Sequence, residues 1–129
     1  MPKIGQQIGD ASEPTVWEGR RLSLPGQASG GRLPAARYRV TTERVYWTAG
    51  RLARKTESVP LWAVREATVQ QSVQQRARRL GTITVSLQHP DYQGLPTYVV
   101  LEDVERPRET AQKIRGAARQ ARKAHDARA

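Results

Sequence analysis

Cysteine is absent from the 129-residue chain. Disulfides, thiolate metal ligands, cysteine nucleophiles and iron–sulfur clusters are thereby excluded together, and packing alone must hold the fold. Phenylalanine is absent too, so the 5% aromatic share consists of three Trp and four Tyr. Only His89 and His125 can supply imidazole. A multi-histidine metal site is therefore out, and a histidine-centred triad would need one of these two. Long apolar runs are also lacking. The longest are four residues, as at Tyr98 to Leu101, far short of the ~20 residues that span a bilayer. The opening Met1-Pro2-Lys3-Ile4-Gly5 leads into polar residues, which is neither a secretory nor an acylation signal. A cytoplasmic protein is expected, with no transmembrane segment. No glycine-rich phosphate loop or nucleophile elbow occurs. His89, beside Pro90 and near Asp91, reads as turn chemistry. Glu102, Asp103 and Glu105 read as charge before a helix rather than as a general acid/base pair. Neither an enzyme nor a cofactor is expected.

What is present suits one soluble domain, with 37% hydrophobic and 26% charged residues. The net charge of +10 is uneven, since residues 106–129 carry eight basic and two acidic groups. Such a surplus draws anionic partners by salt-screened attraction: nucleic acid, acidic lipid surfaces or acidic proteins. Arg outnumbers Lys 18 to 4, and the guanidinium fork suits bidentate phosphate contacts.

Residues 1–13 lack periodicity and read as a flexible leader. Val16 to Leu22 suits a first strand anchored by Trp17, and residues 24–35 form a Gly/Pro-rich connector that opposes both ladder and helix. Arg37–Thr41 and Arg44–Thr48 alternate polar with β-branched or aromatic residues across a tight turn, as paired strands do. Leu52 to Val59 continues as a strand that Pro60 ends, and Leu61, Trp62 and Val64 form a corner that plugs the core. Ala67–Val73 and Gly81–Leu87 alternate, so Ile83, Val85 and Leu87 must share a face. Thr97–Leu101 makes the last strand. From Pro107 the pattern turns helical, with Ala111, Ile114, Ala118 and Ala121 as a thin apolar stripe. One Ile among alanines buries little, so the second half of this helix, to about His125, is expected to be solvated and partly frayed. Trp17, Trp47 and Trp62 are expected in the core, because there is no Phe to fill that volume.

In order along the chain stand Glu13 to Trp17, Tyr38-Arg39-Val40-Thr41, Gly50-Arg51-Leu52, Val59-Pro60-Leu61-Trp62, Gln71-Ser72 to Arg76, Gly81-Thr82-Ile83, and Leu101 to Pro107. This ordered set resembles the bacterial pleckstrin-homology (PH) domains over residues 13–118. The resemblance implies a mainly β, bent antiparallel sandwich or barrel of about seven strands, capped by a C-terminal α-helix. Many relatives carry a transmembrane hairpin where this chain has its Gly/Pro connector, so this copy is expected to be soluble. The expected organisation is a leader (1–13), a PH-like domain (14–118) and a basic extension (119–129).

The resemblance implies a binding module, without settling the ligand. The leading expectation is a non-catalytic module that docks a protein partner or an anionic lipid head-group surface, peripheral at the inner face of the membrane, with self-association along a sheet edge. Candidate anion-binding residues are Arg20, Arg21, Arg37, Arg39, Arg51, Arg54 and Lys55, with Arg37 and Arg39 two apart on one strand face and able to share a phosphate. The bland alternative makes those two solvated residues opposite the core. A second basic patch is Arg76, Arg78 and Arg79. The basic tail, with Arg115, Arg119, Arg122 and Lys123, gives the alternative reading of sequence-independent nucleic-acid binding. That reading lacks interleaved aromatics.

Overall fold

The computed structural model describes residues 8–22, 36–49, 55–88 and 94–128. Strand β1 (Thr15–Arg20) is followed by β2 (Arg37–Thr41), β3 (Arg44–Ala49) and β4 (Lys55–Pro60). A 3-10 turn (Leu61–Ala63) leads to β5 (Val64–Gln70), then come helix α1 (Val73–Ala77), β6 (Leu80–Leu87), β7 (Tyr98–Glu105) and helix α2 (Pro107–Arg128). The strands form two antiparallel sheets, β1-β2-β3-β4 and β5-β6-β7. The mainly β architecture with a C-terminal helix is the one expected of a PH-like fold.

Local chemistry explains the joints. Between β2 and β3 the Thr41 hydroxyl accepts from the N–H groups of Glu43 (3.0 Å) and Arg44 (2.9 Å), so a side chain closes the turn. Pro60 has no N–H to continue a ladder, and the 3-10 turn after it drops Leu61 and Ala63 into the core. In β6 the alternation is regular, and Ile83, Val85 and Leu87 share the buried face.

Strand β7 runs past Leu101 because the ladder is irregular there. Ile83 faces Leu101 but Gly81 faces Val104, so β7 holds an extra residue, and Asp103 takes φ 53°. This bulge returns Val104 to the core after an apparent break in alternation. Glu102 and Asp103 thus lie within β7, and Glu105 ends it two residues before the helix. The first two face Arg21, at 3.4 and 3.7 Å.

Ala111, Ile114 and Ala118 of α2 are buried between the sheets' open ends. Contrary to expectation, the second half of the helix stays docked and extends to Arg128. Arg115 donates to the carbonyl of Ala67 and Arg122 to that of Val64, so two guanidinium groups cover the outer edge of β5. One turn further on, His125 stacks on Trp62 with ring centroids 3.9 Å apart and planes 5° from parallel. Polar anchoring replaces the apolar area that alanines cannot supply. The three tryptophans are only partly buried and pack at the margin of the core.

Of the expected leader, residues 1–7 lie outside the described residues, and residues 8–13 differ from expectation. Residues 8–13 form a strap that packs Ile8 and crosses the outer side of the four-stranded sheet at Arg39 and Tyr46. Gly9, at φ 81°, lies flat on the Tyr46 ring, where a Cβ would come within 2.6 Å of ring carbons. The Gly/Pro connector, Arg51, Arg54, His89 and Asp91 lie outside the described residues.

Candidate functional site

Helix α1 buries none of its residues, yet it is firmly held. Ser72 and Gln75 form a reciprocal capping box at 3.0 Å in each direction. The Gln75 amide also donates to Thr82 (2.9 Å) and Asp103 (2.8 Å), while Gln71 donates to the Leu80 carbonyl (2.9 Å). Polar residues thus present an otherwise unsupported turn to solvent. At its start Val73 is 86% exposed, and Arg76, Arg78 and Arg79 follow, all exposed. Leu80 pairs with Glu105, which brings Arg79 and Arg106 to the same end of the β6–β7 ladder. Both adopt left-handed backbone conformations, φ 62° and 45°, a strain of roughly 1–3 kcal/mol each for side-chain-bearing residues. Gly81 packs on Pro107 and fixes the start of α2, where Arg108 is exposed. Five exposed arginines therefore edge one end of the molecule, interrupted by the exposed Glu105 and Glu109. Sequence reading found Arg76, Arg78 and Arg79 but not Arg106 and Arg108, which only strand register adds.

Around the corner, a cleft of about 590 Å³ separates the β1–β2 pair from the start of α2. Arg20 and Arg37 are direct cross-strand partners and line it together with Glu18, Glu105, Arg106, Glu109 and Lys113. Tyr38 forms its floor, stacked on Trp17 at 6.4 Å. The Tyr38 hydroxyl accepts from the Glu102 N–H at 3.0 Å, and burial pushes its pKa up. Arg21, a neighbour in sequence, turns instead to Glu102 and Asp103.

Arg39 does not join Arg37 in an exposed pair. It is 1% exposed, and its guanidinium donates to the carbonyls of Ile8 and Asp10 (2.9 Å each), the carbonyl of Glu13 (2.6 Å) and the Thr15 hydroxyl (2.9 Å). It lies over the Tyr46 ring at 5.9 Å, and Glu18 approaches at 3.9 Å. These contacts use the donors a shared phosphate would need, because the strap covers the face that alternation alone leaves open. Burial, with the hydrogen bond to Glu13, raises the pKa of Tyr46. Lys55 is exposed at the start of β4. Of the basic tail, Arg115 and Arg122 are spent on β5, whereas Arg119 and Lys123 point to solvent.

A second groove, about 920 Å³, opens between β4 and β7. It is lined by Trp47, Val59, Trp62, Tyr98, Val99 and His125 among others. Sequence reading did not find it, because its walls come from both sheets and from the end of α2. Among the described residues no cluster of His, Asp or Glu could hold a metal ion, and no helix is long and apolar enough to cross a membrane.

Two antiparallel sheets closed by a C-terminal helix, with basic and aromatic recesses at the rims, are the frame of a PH-type domain. The sequence pattern of the bacterial PH domain family matches residues 23–121, most of the chain, and the protein belongs to that family. No curated protein matches the chain significantly. Domains of the PH type are generally non-catalytic binding modules, and the family supports that class of role here.

Proposed function

We propose that the protein is a non-catalytic interaction module that docks on anionic membrane surfaces through the rim formed by α1 and the start of α2. The observation that carries this reading is the exposed Val73 held on a rigid turn amid Arg76, Arg78 and Arg79, with Arg106 and Arg108 close by. A small apolar tip among guanidinium groups suits the boundary between headgroups and acyl chains. Each basic side chain near an acidic leaflet contributes about 1 kcal/mol, and Glu105 and Glu109 offset part of that. Binding is therefore weak, reversible and sensitive to salt.

The test is co-sedimentation with phosphatidylcholine vesicles, with and without phosphatidylglycerol, at two salt concentrations. Acidic vesicles should pellet the protein at low salt and release it at high salt. Arg76→Glu with Arg78→Glu and Arg79→Glu should abolish pelleting, and Val73→Asp should weaken it. Equal pelleting by neutral and acidic vesicles, or full binding by the charge-reversed variant, would overturn the reading. Tighter binding to duplex DNA than to acidic vesicles would redirect it to nucleic acid.

A further inference from the structure

The two outer strands of the β5-β6-β7 sheet are treated very differently. On β5, Arg115 and Arg122 occupy the outward carbonyls of Ala67 and Val64, and the Glu66 carboxylate accepts from the Ala67 N–H at 2.8 Å. Over Val64–Ala67 that edge is already occupied. On β7 the Leu87 N–H donates to the Thr97 carbonyl at 3.0 Å. The pair Leu87–Thr97 is thus of the hydrogen-bonded kind, and by alternation Val99 and Leu101 also turn their backbone groups to β6. Tyr98 and Val100 must then direct their N–H and C=O groups outward, where they meet no partner among the described residues. The window has clear limits. Pro96 precedes it, and at its far end the Glu102 N–H is taken by the Tyr38 hydroxyl, just before the bulge. Within it Tyr98 is 57% and Val100 39% exposed, and both line the large groove between β4 and β7.

We propose that this open corner receives an extended, acid-flanked segment of a partner protein, which adds as a strand to β7 at Tyr98–Val100 and seats an apolar side chain beside Trp62. Main-chain hydrogen bonds to an unpaired edge supply affinity, and adjacent pockets supply selectivity. Charge decides the occupant: Arg44 and Glu57 in the groove wall offset each other, which leaves the surplus at the end of α2 to set the field. The last turns of α2, which place His125 in the groove wall, carry Arg119, Arg122, Lys123 and Arg128 against Asp126 alone. A second copy of this chain would bring another +10 to the same place, and like-charge repulsion opposes that pairing. An acidic segment is attracted by the same field. The site is separate from the arginine rim and does not depend on membrane docking.

The experiment uses the full chain, nitrogen-15 labelled, titrated with the acetylated and amidated peptide Glu-Glu-Val-Leu-Val-Glu-Glu. The amides of Tyr98 and Val100 and the indole of Trp62 should shift together. At a peptide concentration ten times the dissociation constant, exchange at those two amides should slow about tenfold. Val100→Pro removes an outward N–H without taking a bond from the β6–β7 ladder, so it should abolish binding while leaving vesicle pelleting intact. Tyr98→Ser removes the apolar wall of the same edge without adding charge or changing the backbone, and should weaken binding at least severalfold. The proposal is overturned by an absence of shifts, by shifts confined to α1 or β5, by equal binding of the peptide with Lys in place of Glu, or by unimpaired binding to either variant. Concentration-dependent broadening at Tyr98 and Val100 without peptide would overturn it in favour of self-association.

Discussion

Arg39 and Glu13 are bound to each other through backbone rather than charge. The buried guanidinium donates to the Glu13 carbonyl oxygen at 2.6 Å, while the Glu13 carboxylate accepts from the hydroxyls of Thr41 (2.9 Å) and Tyr46 (2.8 Å). One residue of the strap thus ties two strands, and one arginine of β2 gathers three strap carbonyls. Residues 8–13 precede the segment that matches the family, residues 23–121.

Replacing Arg39 by alanine should cost about 2–4 kcal/mol, because several charge-assisted hydrogen bonds are lost while the strap can detach and rehydrate its carbonyls. Arg39→Lys keeps the charge but not the planar fork, and should recover less than half of that loss. Urea denaturation gives the magnitude. Limited proteolysis should show early cleavage before Thr15 in both variants, and resistance equal to wild type would remove the clasp from the account.

Tyr38 and Tyr46 have raised pKa values, each chiefly through burial. A raised value in the folded state means that the associated stability is complete below the ordinary tyrosine value and is lost as pH rises through the folded value. Spectrophotometric titration should therefore show two phenols ionising late, with Tyr46→Phe removing one of them. Because a phenolate cannot donate to Glu13, the strap should also loosen over that alkaline range. Asp10 behaves oppositely: hydrogen bonds from the Ser12 hydroxyl and N–H lower its pKa, so its contribution is present above the ordinary carboxylate range and disappears as pH falls through the lowered value. Amide exchange at Ser12 should accelerate there, and Ser12→Ala should move the transition to higher pH.

Gly81→Ala should destabilise the fold by about 1–3 kcal/mol. Its new Cβ would stand 2.7 Å from Cγ and 2.9 Å from Cβ of Pro107, pressing on the first turn of α2. Thermal denaturation checks this, and Gly94→Ala offers a contrast in which the cost comes only from φ 71°, with no atom within 4 Å of the added carbon.

Truncation after Ala118 should cost about 2 kcal/mol, since it deletes the Arg122 bond to β5 and the His125–Trp62 stack. A loss of tryptophan fluorescence change on unfolding, together with a lower urea midpoint, would report both effects. An unchanged midpoint would mean that the end of the helix contributes nothing to the fold.

The alternation of Ile83, Val85 and Leu87, the turn chemistry around Thr41, the stop at Pro60 and the alanine stripe of α2 were all legible in the chain itself. Each is decided by neighbours a few residues apart: pleat, turn, missing N–H, helical period. Family membership was legible for the same reason, since it rests on ordered local motifs. The fate of individual arginines was not. Alternation correctly put Arg37 and Arg39 on one outer face, but only the strap from residues 8–13 determines that Arg39 is buried. The spacing in α2 could not tell Arg115 and Arg122, held on β5, from Arg119 and Lys123, left in water. Contacts made across long stretches of chain assign those roles, as does the register that gathers Arg79 with Arg106. Local periodicity thus determined which elements form and which way they face, and tertiary packing decided which charged groups remain available to a partner.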